Sequence, residues 1–505
     1  MEVVNSFMTW VFKNRIGQID NFKKYPLETQ NLILEDLIEL AKRTEFGKKF
    51  RFSDINTYAD FSSMVPVHDY EDMKPYFERI MKGKQNVLWP SEILWFSKSS
   101  GTTSSRSKYI PVSQEALEDC HFKGGKDMIS LYVNNYPDSK LFSGKSLSIG
   151  GSLSQNPLDP SSKIQAGDIS AVIMHNLPIW VQFARTPSLE IALMSEWESK
   201  IEKMALEVMN ENVVSISGVP TWTIVLLHRI LELKKANHIL EVWPNLEVFF
   251  HGAVAFGPYR KLFSELIPSS KMRYMETYNA SEGFFGIQDQ INSEELLLML
   301  DYGIFYEFIL MEDWDNDNPK AIPLSEVEVG KNYAMLITTN AGLWRYKIGD
   351  TLKFTNTNPY RFKISGRTKH FINAFGEEVI VENAEAAIQA AAEVTHATII
   401  NFTAAPIYFG DSNSKGAHEW IIEFKTLPSD KEKFISILDN TLREINSDYD
   451  AKRYKDLALS APKINFTTDA VFEKWLKSKG KLGGQNKVPR LSNSREYIEE
   501  VLNFL

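Results

Sequence analysis

Residues 99–112, which read SSGTTSSRSKYIPV, have the composition of a loop that holds phosphate. Gly101 lets backbone N–H groups approach an anion closely, the hydroxyl groups around it donate hydrogen bonds, and Arg106 and Lys108 add positive charge. A solvated turn rich in serine and threonine has the same composition, so this segment alone leaves both interpretations open. The rest of the chain has to decide between them.

The loop does not match the P-loop of nucleoside triphosphatases. That motif needs a second glycine directly before its lysine, so that the chain wraps the phosphates and brings the lysine to them. In this chain Ser107 precedes Lys108. An ordinary P-loop enzyme is therefore not expected.

A second segment, TYNASEGFFG at residues 277–286, lies where a strand is expected to end. Tyr278 can lie against the face of a purine. The carboxylate of Glu282 is a hard oxygen ligand of the kind that Mg²⁺ uses beside phosphates. The alternative is a plain connection between a strand and a turn, with Glu282 in solvent.

Three further segments carry charged residues that suit nucleotide chemistry. Asp350, in LWRYKIGDTLKF, can accept hydrogen bonds from ribose hydroxyls, although a Gly-Asp pair is also common in hairpin turns. Arg367 lies in ISGRTKHFINAFGEEVIVENAE, which joins a strand to a helix. Lys487, in GGQNKVPRL, follows a glycine pair and can reach a developing oxyanion, but a solvated lysine in a tail loop fits as well.

The 505-residue chain has the composition of a globular protein, with 43% apolar and 24% charged residues. Its net charge of -9 is dispersed, so no nucleic-acid partner is expected. Cys120 is the single cysteine, which excludes an intrachain disulfide and a cysteine-based metal cluster and fits a reducing cytoplasm. The apolar runs are short and interrupted, so we expect neither an export signal nor a membrane span.

The pattern of elements predicts an α/β fold, with a mostly parallel sheet covered by helices. Residues 296–354 read as strands with few helices and predict a smaller, more antiparallel sheet. The strands of the parallel region are predicted at 146–151, 213–219, 246–256 and 272–278, with helices at 195–210 and 221–236 between them.

The last part of the chain predicts a compact α+β unit. Its boundary is placed at residues 361–367, which divides the chain into a large unit, 1–363, and a smaller one, 364–505. Its elements are predicted as a helix at 382–393, strands at 397–402 and 418–424, and a charged helix at 430–445.

The order of these segments resembles the adenylate-forming enzyme superfamily, whose members carry a Ser/Thr/Gly loop, an aromatic segment ending in Glu, a YRxGD-like Asp and a GRxK hinge. The closer resemblance, over nearly the whole chain, is to the acyl-acid amido synthetase family, called Gretchen Hagen three and auxin-responsive. The segments that carry it are SSGTT with KYIP, VPVHDYEDMKPY at residues 65–76, NASEGFFG, YKIGD, HEWIIEF and QNKVPR.

The resemblance implies an enzyme that activates a carboxylic acid with ATP as an acyl-adenylate and passes the acyl group to an amine, expected to be an amino acid. It implies a large N-terminal adenylation domain with the nucleotide and acyl sites, and a mobile C-terminal lid. Glu282 would bind Mg²⁺ and be catalytic together with Lys487. The nucleotide would contact Ser99, Ser100, Gly101, Thr102, Thr103, Thr277, Tyr278, Ser281, Asp350 and Arg367.

The chain departs from the family's pattern after the hinge. It reads AFGEEV where plant members have Asp-Lys-Thr, so a phosphate-contacting lysine is missing and Arg367 or Lys369 is expected to replace it. The acyl pocket has no pattern that can be carried over. His175, Val219 and Trp222 are candidates for it, and a role in the core fits His175 and Trp222 at least as well.

Two other functions fit the same segments. The first is an acyl-CoA ligase, which uses the same adenylation step with a thiol as acceptor. The second is a non-catalytic nucleotide-binding or scaffold protein on an inherited fold. An amide product separates the amido synthetase from the first, and release of pyrophosphate separates it from the second.

Overall fold

A computed structural model of the chain describes residues 11–12, 14–99, 108–314, 319–368, 371–409, 415–453, 458–478 and 489–505. Several residues with predicted roles lie outside these ranges, and those roles stay predictions. They are Ser100, Gly101, Thr102, Thr103, Arg106, Lys369 and Lys487.

Within the described residues, twelve strands form one mixed sheet at the centre of the large unit. In spatial order they are Ala321–Pro323, Ile304–Leu310, Asn332–Thr339, Tyr346–Thr357, Tyr360–Arg367, Leu296–Leu298, Gly283–Ile287, Arg273–Ala280, Val248–His251, Val213–Gly218, Lys145–Ser148 and Arg185–Thr186.

The pairing of the strands changes once across this sheet, from parallel to antiparallel. From Arg273–Ala280 to Arg185–Thr186 each strand is parallel to its neighbour, as the alternation of strand and helix patterns predicts. The antiparallel strands expected from residues 296–354 are present, but they continue the same sheet, because Gly283–Ile287 pairs with Arg273–Ala280. Asp350 lies inside the strand Tyr346–Thr357, so the alternative of a hairpin turn at this residue is wrong.

Alternate residues of the parallel strands pack on opposite faces, as the two-residue period of a strand requires. Leu147, Ile216 and Phe249 are Cα partners in neighbouring strands and are fully buried in one cluster. On that side the sheet is covered by three helices, Trp197–Val208, Pro220–Lys234 and Arg260–Leu266.

The opposite face of the sheet contacts the helix Lys123–Asn135, where Phe250 and Tyr132 meet edge to face at 5.5 Å. Two strands before this helix and two after it form a second, four-stranded sheet, in the order Lys108–Val112, Trp95–Ser99, Gln165–Gly167 and Leu153–Gln155. Further helices of the large unit are Ile16–Lys24, Pro26–Ala41, Glu45–Lys49, Tyr58–Met64, Tyr70–Met81, Ile169–Asn176, Ile179–Ala184 and Leu189–Ala192, with a π-helical turn at Ala116–Phe122.

The smaller unit is built on a three-stranded sheet, and its predicted helices and strands are confirmed. Its strands are Thr398–Ile407, Ala417–Thr426 and Lys463–Thr467, with a short pair Phe371–Ile372 and Val379–Ile380; its helices are Val381–Thr395, Lys431–Ile445, Ser447–Arg453, Val471–Ser478 and Glu496–Leu502.

The strand Tyr360–Arg367 crosses the predicted boundary between residues 363 and 364 and stays paired to its neighbour as far as Arg367. The smaller unit packs against the helix Pro220–Lys234, where Thr221 donates a hydrogen bond to the Phe375 carbonyl at 2.9 Å. In the described part of the chain, no helix combines the length and the apolar character needed to cross a bilayer.

Candidate functional site

A cavity of about 1560 Å³ collects most of the residues that the sequence singles out. Its wall is formed by one face of the parallel strands, by the strands that carry YKIGD and SGR, and by residues of the smaller unit. The predicted site residues in the wall are Ser99, Val219, Trp222, Thr277, Tyr278, Ser281, Glu282, Asp350 and Arg367.

A network of hydrogen bonds fixes the side chain of Asp350. Tyr278 donates its phenolic hydrogen to Oδ2 of Asp350, and Nε of Arg367 lies 2.8 Å from Oδ1. Arg367 also reaches Oε1 of Glu378 at 3.1 Å. Burial raises the pKa of Tyr278 well above its ordinary value, and the charge of Asp350 adds to the effect, so the tyrosine stays a donor.

Ser281 and Glu282 form the turn between the strands Arg273–Ala280 and Gly283–Ile287, where the sheet changes from parallel to antiparallel pairing. Ser97 donates a hydrogen bond to Ser281 at 2.8 Å, which ties this turn to the strand that leads into the serine- and threonine-rich loop. Burial raises the pKa of Glu282 to about 7, although the positive charge of Lys108 acts in the other direction. A cation beside this carboxylate would favour its ionised form.

Both ends of the serine- and threonine-rich loop reach the cavity. Ser99 and Lys108 are Cα partners in antiparallel strands and both line the wall. Tyr70 accepts a hydrogen bond from the backbone N–H of Tyr109 at 3.0 Å, and Nζ of Lys108 lies 5.3 Å from the centre of its ring.

The segment VPVHDYEDMKPY, which contains Tyr70, positions these strands. The helix Tyr70–Met81 begins with a capping box between Asp69 and Asp72. Just before it, the backbone of His68 accepts a hydrogen bond from Lys347 at 2.9 Å, and Nδ1 of His68 lies 2.9 Å from the carbonyl oxygen of Trp344. This segment therefore connects the loop strands with the strand that carries Asp350.

The residues present fit a Mg²⁺ ion that is held mainly by phosphate. The described residues contain no group of three or more histidine, cysteine, aspartate and glutamate side chains that could hold a metal ion by themselves. Mg²⁺ in nucleotide sites is bound by one or two carboxylates together with phosphate oxygens and water, so a single carboxylate such as Glu282 is sufficient.

Two of the three candidates for the acyl pocket lie in the wall. Val219 precedes the helix Pro220–Lys234, and Trp222 lies in its first turn, stacked on Trp197 with ring centres 3.9 Å apart. His175 is exposed and does not line this cavity; its ring packs against Trp95 at 5.0 Å.

Lys452 is a cavity residue that the sequence did not indicate. Its side chain is buried, with Nζ 4.3 Å from the centre of the Trp222 ring, and burial lowers its pKa to about 8. A Cβ atom built on Gly376 would lie 3.3 Å from Nζ of Lys452. The structure thus places a lysine beside AFGEEV, while Arg367 is engaged by Asp350 and Glu378.

His251 is a second residue that sequence reasoning missed. It ends the strand Val248–His251, stacks on Phe256 at 4.0 Å and lines the cavity. Burial lowers its pKa to about 3, so the ring is neutral at pH 7. The signal in the sequence was its position at the carboxyl end of a parallel strand, directly before Gly252, where ligand sites form in α/β sheets.

Family models match most of the chain. The model described as the GH3 family N-terminal domain matches residues 15–272, the central-domain model matches residues 297–367, and the C-terminal-domain model matches residues 382–496. The chain belongs to the GH3 family. This confirms the resemblance that the sequence motifs indicate.

Individual GH3 proteins are similar over nearly their whole length. Indole-3-acetic acid-amido synthetase GH3.4 of Arabidopsis thaliana is 24% identical over 548 residues, which cover 94% of this chain and 90% of that protein. The acyl acid amido synthetase AtGH3.15, solved in complex with 2,4-DB, has a TM-score of 0.62 at 17% identity and covers 97% of this chain and 96% of its own.

A CoA ligase shares the fold as well. The 2-hydroxyisobutyryl-CoA ligase, solved with 2-HIB-AMP and CoA in its thioesterification state, has a TM-score of 0.54 at 13% identity and covers 94% of this chain and 91% of its own. These likenesses confirm the predicted mixed α/β fold with a large N-terminal and a smaller C-terminal domain. The predicted activity, acyl-acid amido synthesis, is the one named for the GH3 relatives.

Proposed function

We propose that this GH3 chain is an ATP-dependent acyl-acid amido synthetase, which activates a carboxylic acid as an acyl-adenylate and transfers the acyl group to an amino acid. The observation that carries the proposal is that Ser99, Glu282, Asp350 and Arg367, from separate segments of the sequence, line one cavity. The names of the curated relatives support it. The cytoplasmic location is proposed on the single cysteine.

In the first half-reaction, an oxygen of the acid's carboxylate attacks the α-phosphorus of ATP, and pyrophosphate leaves with the electron pair of the broken P–O bond. Both reactants are anions, so neutralising their charge matters more than moving a proton. Glu282 would hold Mg²⁺, which neutralises phosphate charge when bound. Lys487 would supply its ammonium group to the α-phosphate or the bridging oxygen.

Asp350 and Tyr278 would position the nucleoside. Each carboxylate oxygen of Asp350 already accepts one hydrogen bond, from Tyr278 or from Arg367, and each has a further lone pair for a ribose hydroxyl. Because both existing bonds come from the protein, the carboxylate is oriented before the nucleotide arrives. The ring of Tyr278 would border the adenine.

In the second half-reaction, the amine nitrogen attacks the acyl carbon, AMP leaves and one proton is released. We propose that residues 364–505 form a lid that brings Lys487 to the nucleotide in one pose and opens a path for the amine in another, a gating role known for mobile domains.

A pyrophosphate-release screen over aryl, fatty and bile-type acids, with and without a mixture of amino acids, tests the proposal. We expect release with at least one acid and, by mass spectrometry, an amide product. A thioester formed with CoA in place of the amide would make the chain an acyl-CoA ligase. A rise in Tm with ATP but no pyrophosphate from any acid would leave a non-catalytic nucleotide-binding protein.

The role of Glu282 is tested by Glu282→Gln, which keeps the shape of the side chain and removes its charge. We expect pyrophosphate release to fall by roughly a hundredfold or more, because the metal's charge stabilisation is lost. The matched control is Glu328→Gln, at an exposed glutamate paired with Lys331 at 2.9 Å. Wild-type rates in Glu282→Gln at low Mg²⁺ would contradict the assignment.

A further inference from the structure

The wall of the cavity contains an arginine that the reaction described above does not use. Arg185 begins the strand Arg185–Thr186 at the edge of the twelve-stranded sheet. Only 5% of the residue is exposed, and it lines the cavity. A guanidinium in this position keeps its positive charge, since the pKa of arginine lies far above neutral pH.

The guanidinium of Arg185 has no carboxylate partner among the described residues. Nη1 donates to Gln182 at 3.1 Å, Nη2 faces the sulfur of Met174 at 3.3 Å, and Nε has no hydrogen-bond partner in that part of the chain. Thioether sulfur is a weak acceptor. Glu207 acts on Arg185 only through its charge, and its carboxylate accepts hydrogen bonds from Ser188.

The two nitrogens without a good acceptor are Nε and Nη2. This is a pair with which arginine binds a carboxylate through two parallel hydrogen bonds. Arg361 in this chain shows the complete arrangement, since its Nε and Nη2 donate to the two oxygens of Asp289 at 2.9 and 2.8 Å. In Arg185 the same two donors have no carboxylate partner among the described residues, and the residue belongs to the cavity wall. A buried cation without a counter-ion is unfavourable, and an anion held in the cavity would remove this cost.

The sheet face beside Arg185 carries the hydroxyl groups of serine side chains. Ser146 is the Cα partner of both Arg185 and Ser215, so the three lie in one row across the strands. Ser215 donates a hydrogen bond to Ser146 at 2.9 Å, and both serines line the cavity, as do Ser148 and Ser217. This part of the wall therefore suits a polar group of the bound acid.

We propose that the acid activated by this chain carries a second carboxylate at its far end, and that Arg185 binds this group through Nε and Nη2. The inference rests on the proposed function, because the other carboxylate is the one that becomes the acyl-adenylate. A site built to pair a charged group discriminates strongly against an analogue that lacks it, since the arginine is then left buried and unpaired.

The test uses a set of dicarboxylic acids, namely the straight-chain acids from succinate to sebacate and the aromatic acid terephthalate. The rate of pyrophosphate release with each diacid is compared with the rate with its monomethyl ester. We expect wild type to prefer at least one diacid over its ester by roughly tenfold or more in kcat/KM. Arg185→Gln should abolish the preference by slowing the diacid while leaving the ester within about twofold. Arg185→Lys keeps the positive charge but lacks the two parallel N–H donors, and it should retain part of the preference.

Arg229→Gln is the matched control, because Arg229 pairs with Glu202 on the helices that cover the other side of the sheet. Equal use of diacid and ester by wild type, or a preference that survives in Arg185→Gln, would overturn the inference. Failure of the proposed function is seen separately, as no pyrophosphate from any acid. In that case the Tm of both proteins is measured with and without a diacid. An increase in wild type but not in Arg185→Gln supports the site, and equal behaviour of the two proteins overturns it.

Discussion

Asp350 and Arg367 face each other across two neighbouring strands, with Nε of the arginine 2.8 Å from Oδ1 of the aspartate. The second oxygen of Asp350 accepts the hydroxyl of Tyr278, from a third strand. The carboxylate that is proposed to bind ribose is therefore held from two sides. Its orientation depends on the pairing of two consecutive strands and on Tyr278, which lies 72 residues earlier in the sequence.

We expect Tyr278→Phe to weaken nucleotide binding without unfolding the protein. Loss of one hydrogen bond to a charged group corresponds to roughly a tenfold rise in the KM for ATP. Steady-state pyrophosphate release measures this change. Tyr306→Phe is the control, since its buried hydroxyl donates to the Met299 carbonyl at 3.0 Å and does not line the cavity. An unchanged KM for ATP in Tyr278→Phe would show that Asp350 needs no such support.

Lys487→Ala is expected to slow adenylation by roughly a hundredfold or more, because a cation aimed at developing negative charge contributes this much in other enzymes. Single-turnover pyrophosphate release with a good acid substrate measures the step directly. The control is Lys477→Ala, which removes an exposed lysine from the helix Val471–Ser478. Wild-type speed in Lys487→Ala means that the assigned role is wrong.

Arg345→Met is expected to lower the free energy of unfolding by about 3–5 kcal/mol. Arg345 forms an ion pair with Glu307 at 2.8 Å, and the two side chains are 6% and 1% exposed, so the variant leaves a buried carboxylate unpaired. Urea denaturation at pH 7 gives the value. Arg51→Met breaks an exposed ion pair with Asp54 and should cost less than about 1 kcal/mol. A similar loss in both variants would contradict the argument.

Lys452 should make stability depend on pH in the alkaline range. Burial lowers its pKa from 10.5 to about 8, so between these values the unfolded chain binds the extra proton. The free energy of unfolding of wild type should therefore rise, relative to Lys452→Met, as the pH increases from about 8 to 10.5. Below that window the methionine variant should be at least as stable. Urea denaturation of both proteins across this range measures the difference in the free energy of unfolding. A difference that does not change with pH would show that the pKa of Lys452 is not lowered.

Local pattern was sufficient to predict several of the helices and strands. The apolar run at 213–219 corresponds to the strand Val213–Gly218, and the pattern at 382–393 to the helix Val381–Thr395. What the sequence did not predict is that the antiparallel strands join the parallel ones. That outcome depends on pairing between Gly283–Ile287 and Arg273–Ala280 in one continuous sheet, which composition does not encode.

The residues of the site also fall into a group that the sequence predicts and a group that it does not. Motif order alone led to Tyr278, Glu282 and Asp350, which the structure brings to one cavity. Lys452 and Arg185 have no local signal, because a charged residue is normally expected to be solvated and only the packing of distant elements buries these two. The sequence around His175 makes it a candidate for the acyl pocket, but its position in the helix Ile169–Asn176 leaves it exposed.

The side chains of the strand Lys145–Ser148 point alternately to the cavity and to the core, so neighbouring residues are under different evolutionary constraints. Ser146 and Ser148 line the cavity, whereas Leu147 is fully buried on the other face. Mutations at the cavity positions can accumulate without disturbing the packing of the covering helices, because the two faces share no side chains. A lineage with this sheet can therefore exchange one acid substrate for another through a few point mutations while its core sequence drifts slowly.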